Sequence, residues 1–175
     1  MDAIQSAGKA GIVFVCASGN SGENIDISPA FPADYPLDNI ICVGATDNRD
    51  LPVYFSNYGS GSVETFAPGD SILSTAFAST SSYAYASGTS LAAPFVTGAV
   101  ALLRAKYPGD TYRETINRVL NGADTNTALT GKSQTSGRMD LAKVLGAAST
   151  PPNDTFAGRT TLVGLDPYTL SLIHI

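Results

Sequence analysis

Histidine is almost missing: the 175-residue chain has one, His174, and its two cysteines form no C-x-x-C pair. That leaves no His/Cys cluster at zinc-ligand spacing. Basic residues are few, ten Lys and Arg against fifteen Asp and Glu for a net charge of -5. They gather along no segment, so the electrostatic footprint of a nucleic-acid partner is absent. Long apolar runs are missing too. None approaches the roughly 20 residues of a bilayer-spanning helix, so no membrane partner is expected. The opening MDAIQSAGKAG lacks the basic-then-apolar order of a targeting signal.

What is present describes a globular chain. Apolar residues make up 43% and charged residues 14%, enough for one sizeable core. Cys16 and Cys42 lie in the apolar runs IVFVCA and NIICVGA, which read as buried strands. A free thiol there behaves as a small hydrophobe, with a disulfide as the other reading.

The order of elements alternates helix and strand. Asp2 to Lys9 reads as the end of a helix stopped by Gly11, and GIVFVCA as a strand apolar on both faces, as in a parallel sheet. A polar, Gly/Pro-rich loop from Ser18 to Asp38 leads to a second such strand, NIICVGAT, followed by short strands in SVETFA, SILSTA and SYAYAS. From Thr89 to about Lys106 the pattern is helical, and so rich in Ala, Gly and Val that nearly every face is expected to be buried. Thr111 and Glu114 stand at capping-box spacing before a helix ended by Asn121-Gly122, and a last short helix is expected over Arg138 to Leu145. This is α/β patterning.

Residues 1–148 read as one unit, with GAASTPPND opening a linker that runs with the following residues over 149–169. The amphipathic start shows no N-cap before Asp2, so the chain is expected to begin inside a longer reading frame. At the other end LSLIHI, residues 170–175, matches the translation of a transposase-type sequencing adapter and is set outside the fold.

The chemistry turns on YASGTSLAAPFVTG, where Ser90 precedes an apolar helix. Read locally, Ser90 or Thr89 is an N-cap and Asn20, in SGNSG, a turn residue. No G-x-S-x-G elbow occurs, since Ala92 stands where its second glycine would be. Yet SGTSLAAPFVTGAVALL resembles the nucleophile motif of subtilisin-like serine proteases, G-T-S-M-A-x-P-H-V-A-G. IVFVCASGNSG is similar to their oxyanion segment, V-x-A-A-G-N-x-G. Between them FPADYPLDNIICVGATD, FSNYGS and FAPGDSILST resemble further family segments in the same order, over about Asp2 to Ala148.

The resemblance implies the C-terminal part of a doubly wound, mainly parallel sheet, truncated on its N-terminal side, and serine endopeptidase chemistry. Ser90 would be the nucleophile, and the Asn20 amide with the Ser90 N–H would form the oxyanion hole. Ala17, Ser18 and Gly19 match a wall of the substrate pocket, beside Gly88 and Thr89 of the nucleophile turn. Leu91 replaces the family's oxidisable methionine, and Phe95 a structural histidine. Glu64 falls near a family carboxylate that helps bind a weak cation, although a Glu before a strand is ordinarily solvated. No metal ligand is assigned.

The family's D-[ST]-G aspartate and H-G-T-H histidine match nothing in these residues, and His174 fits no motif. The chain alone is therefore expected to be inactive and poorly soluble. The complete protein would act on peptide or protein substrates without a required cofactor. It would carry structural calcium and a propeptide as family features, outside the cytoplasm. PPNDTFAGRTTLVG resembles the start of a β-rich accessory domain. A noncatalytic binding or scaffold module of the same fold is the alternative.

Overall fold

One strand, Ile40–Thr46, is buried along its whole length between two parallel neighbours, and the rest of the fold covers its faces. The computed structural model describes residues 1–77 and 79–146. The linker and tail expected at 149–175, and His174 with them, lie outside the described residues. Helix α1 (Asp2–Lys9) leads into β1 (Phe14–Ala17), and β2 (Ile40–Thr46) and β3 (Thr65–Pro68) follow. A hairpin of β4 (Ile72–Thr75) and β5 (Tyr83–Ala86) precedes the long helix α2 (Thr89–Lys106). Then come α3 (Tyr112–Asn121), β6 (Ala123–Thr125), β7 (Gly137–Met139) and α4 (Leu141–Val144).

The main sheet has the order β1-β2-β3-β7-β6, parallel except for the β6–β7 pair. All seven residues of β2 are buried, because alternate side chains enter two separate cores. Ile41, Val43 and Ala45 meet Ala92, Val96, Ala99 and Leu103 of α2. Ile40 and Cys42 face the opposite way, toward Cys16, Ile25, Val63, Phe66 and Leu129. Phe66 lies so close over Gly44 that a β-carbon there would stand 2.4 Å from its ring, so β2 needs a glycine at that crossing. Cys16 and Cys42 are opposite one another in register, both buried and both free thiols.

Helix α2 departs from expectation. Its buried residues are Thr89, Ala92, Val96, Ala99 and Leu103, whereas Pro94, Thr97, Gly98, Ala101 and Leu102 are exposed, Leu102 to 48%. Small residues all round a helix permit burial on every side, but among the described residues only one side of α2 meets the sheet. Phe95 packs at the edge of that core.

The expected last helix is also shorter. Gly137, Arg138 and Met139 form strand β7, because β3 has an open edge that takes them as a partner at Phe66 and Arg138. The helix begins only after Asp140, whose carboxylate accepts from the Lys143 N–H at 2.9 Å. The capping box at α3 forms as its spacing predicts, with Thr111 and Glu114 each accepting from the other's backbone N–H. No helix among the described residues is long and apolar enough to cross a membrane.

Candidate active site

The carboxyl ends of parallel strands are where backbone groups are left for ligands in sheets of this kind. Here the chain leaving β1 at Ala17 runs through Ser18 and Gly19 to Asn20, and the chain leaving β3 reaches Gly69. Gly69 accepts from the Gly88 N–H at 2.8 Å, which draws the start of α2 to this edge. The base of the β4–β5 hairpin is closed by Ser87, whose hydroxyl donates to Asp70 at 2.7 Å and accepts from the Ser71 N–H at 2.9 Å. Two segments distant in sequence, 17–20 and 88–90, thus meet.

Their junction is a set of short hydrogen bonds. Asn20 Oδ1 accepts from both the backbone N–H and the hydroxyl of Thr89, each at 2.9 Å. Thr89 Oγ1 in turn accepts from the Gly19 N–H at 3.2 Å. The N-cap position of α2 is Gly88, which has no side chain to cap with. Asn20 supplies the capping acceptor from across the junction. Neither Ser90 nor Thr89 is the cap that local sequence suggests; they are the second and first residues of the helix.

Ser90 is exposed, while Gly88 and Thr89 beneath it are buried. As the second residue of α2, its N–H has no acceptor within the helix and points with the positive end of the helix dipole. Pro94, one turn on, lacks the N–H that would otherwise bond the Ser90 carbonyl. With Oδ1 held by Thr89, the Asn20 side chain presents its Nδ2 amide as the free end. A β-carbon on Gly88 would lie 3.4 Å from that nitrogen, which places it against the turn preceding Ser90. Among the described residues, an exposed hydroxyl, a free N–H and a free amide donor therefore share one corner.

Of the residues expected to line a substrate site, Ala17 and Gly19 are half-buried, and Ser18 is buried with its hydroxyl donated to the Asn57 carbonyl at 3.0 Å. Gly19 has φ of +104° and room for no side chain, since a β-carbon would stand 2.5 Å from Asn57 Nδ2. The described residues contain no histidine, so no imidazole faces Ser90 among them.

Two polar residues emerge that local sequence does not announce. Glu64 is not a solvated carboxylate. It accepts from the Cys42 N–H at 2.6 Å and from Gln134 Nε2 at 2.8 Å. Burial pushes its pKa from 4.5 up to about 7, against the lowering effect of those bonds. The other is Asn57, buried inside FSNYGS and bonded to the loop that holds Asn20. Its only sequence signal is its place in that segment. Among the described residues no three His, Cys, Asp or Glu side chains come together to hold a metal ion.

Comparison with known proteins bears on this corner. The model of the subtilase family matches residues 1–146. Subtilisin BL of Lederbergia lenta is 41% identical over 121 residues, covering 69% of this chain and 42% of that protein. The subtilisin-like serine protease Rho m 2.0101 of Rhodotorula mucilaginosa is 47% identical over 96 residues, 55% of this chain and 27% of its own length. Among solved structures, the prenylagaramide maturation protease PagA superposes with a TM-score of 0.68 at 26% identity, over 83% of this chain and 54% of that one. The chain thus spans about two fifths of the length of Subtilisin BL.

Proposed function

The chain belongs to the subtilase family, and from that premise we propose that residues 1–146 carry the nucleophile and the oxyanion-binding half of a serine endopeptidase. One observation carries the reading: Asn20 Oδ1 is tied down by Thr89, so its Nδ2 and the Ser90 N–H are left as two free donors beside an exposed Ser90 hydroxyl.

In this mechanism a peptide lies across the carboxyl edge of the sheet and Ser90 Oγ attacks the scissile carbonyl carbon. A general base takes the hydroxyl proton as the Oγ–C bond forms. That base comes from outside the described residues. Negative charge moves onto the carbonyl oxygen, where Asn20 Nδ2–H and the Ser90 N–H meet it. Both donors are held before reaction, one by Thr89 and one by the helix, so little reorganisation is needed as charge develops. Collapse expels the amine, which takes the proton from the protonated base, and leaves an acyl-Ser90 ester that water hydrolyses by the same steps. The proposed reaction calls on no cofactor. On the same reading the complete protein works outside the cytoplasm on peptide or protein substrates.

The experiment is expression of the complete reading frame that contains this chain, with and without Ser90→Ala. Peptide p-nitroanilide hydrolysis and labelling by a fluorophosphonate are expected for the parent and lost in the variant. Hydrolysis or labelling that survives Ser90→Ala would sink the assignment. A parent that is folded but inert to both reagents would favour a binding module.

A further inference from the structure

Between Ser18 and the isolated bridge of Asn24 with Tyr58 the oxyanion loop belongs to no strand, yet the role proposed for Asn20 requires its amide to be held within a fraction of an ångström. The Gly22 N–H donates to the Phe55 carbonyl at 2.7 Å and the Glu23 carbonyl accepts from the Tyr58 N–H at 3.0 Å, but most of the bonds that shape segment 18–23 come from one neighbouring residue. Asn57 is 4% exposed. Its Oδ1 accepts from the N–H groups of Ser21 and Glu23, both at 3.0 Å. Its Nδ2 donates to the Ser18 carbonyl at 2.9 Å, and its backbone N–H to the Gly19 carbonyl at 2.9 Å. The Asn57 carbonyl accepts the Ser18 hydroxyl at 3.0 Å. The bonds fall on both sides of Asn20, and Asn20 itself is left free to face α2.

We infer that Asn57 is the positioning residue of the oxyanion loop, fixing its backbone so that the Asn20 amide is presented beside Ser90. The inference rests on the oxyanion role proposed for Asn20.

The chemistry of the site calls for an asparagine. Two backbone N–H groups converge on one atom, which must therefore be an acceptor with two lone pairs, while the Ser18 carbonyl needs a donor from the same short side chain. An aspartate would satisfy the first demand and set a carboxylate against the Ser18 carbonyl. A serine would offer one oxygen for three groups. The Ser18 carbonyl and the two N–H groups also determine which end of the Asn57 amide is nitrogen. Gly19 completes the fit, because only a residue without a β-carbon lets the Asn57 carboxamide lie against the loop.

The test is a double-mutant cycle in the enzyme from the complete reading frame, pairing Asn57→Ala with Asn20→Ala and measuring kcat and KM separately. Asn57→Ala is expected to lower kcat by about 10-fold or more while KM changes less than about two-fold, since the donor acts on the transition state. In the Asn20→Ala background the same change is expected to cost less than about three-fold, because the amide that Asn57 positions is already gone. Near-UV circular dichroism checks folding. If Asn57→Ala does not fold, Asn57→Asp, which keeps the bonds to Ser21 and Glu23, takes its place in the cycle with the same expectation. Equal losses in both backgrounds would overturn the positioning role while leaving Asn20 in place. A normal kcat in Asn20→Ala alone would overturn the oxyanion reading itself, whatever Asn57 does.

Discussion

Asn20 caps the helix that begins with Thr89: its Oδ1 accepts both the Thr89 N–H and the Thr89 hydroxyl at 2.9 Å, although the two residues lie 69 positions apart. The same side chain therefore has a structural end, the oxygen, and a free end, the amide nitrogen. Substitutions that remove one end and keep the other separate stability from rate.

Asn20→Ala removes both ends. It is expected to cost about 1 kcal/mol of stability through the lost cap. It is also expected to lower kcat about 10²- to 10³-fold, the range for losing one oxyanion donor, of which a subtilisin asparagine is the type example. Asn20→Asp keeps the acceptor and adds negative charge near a helix N-terminus, so its denaturation midpoint should match the parent's while kcat still falls. Parallel denaturation and steady-state measurements on both variants decide it.

Glu64 ties stability to pH. Its carboxyl titrates near 4.5 in an unfolded chain and at about 7 when folded, so between those values the folded state binds the extra proton. Stability should accordingly fall as pH rises from 4.5 to 7, by about 3 kcal/mol in total, and stay at the lower level above pH 7. Urea denaturation across that range should show the decline, and Glu64→Gln should remove it. An unchanged slope in the variant would contradict the burial argument.

Gly19→Ala puts a β-carbon 2.5 Å from Asn57 Nδ2 at a backbone φ of +104°. Strain and displacement of Asn57 together should destabilise the protein by about 2 kcal/mol or more. A thermal melt within about a degree of the parent would show that the loop can shift to accommodate the methyl.

Leu91 follows Ser90 directly and is half-buried, its N–H bonded to the Gly88 carbonyl at 2.9 Å. With no thioether at this position the active enzyme should keep its activity in dilute peroxide, and Leu91→Met should make it sensitive. Rapid inactivation of the parent, followed by residual hydrolysis over time, would refute this.

Much of the fold is legible in the sequence where local signals are strong. Helix α2 begins and ends at the residues its pattern indicates, Thr89 and Lys106, because Gly88 and Tyr107-Pro108 punctuate it on either side. The capping box of α3 and the continuously apolar β2 are equally plain. Strands β6 and β7 are not, since three residues each carry no readable period and exist only as partners for an open sheet edge. The sidedness of α2 is also hidden. Ala, Gly and Val fit a buried or an open face, and neighbours determine which.

At the site, residue types and motif order point to Ser90, Asn20 and the 17–19 and 88–89 segments, and the fold brings these together. Residue order alone cannot tell that Gly88 is the N-cap position, that the capping oxygen comes from Asn20, that Glu64 is held by Cys42 and Gln134, or that Asn57 braces the loop. Each of these is a hydrogen bond between groups distant along the chain, and its worth depends on burial that other segments create. The sequence by itself determined the longer elements and named the side chains proposed for the chemistry, because propensity, punctuation and apolar pattern act over a few residues. Only the tertiary structure decided which end of Asn20 is bound and which is free, because that depends on where two strand ends and one helix start meet.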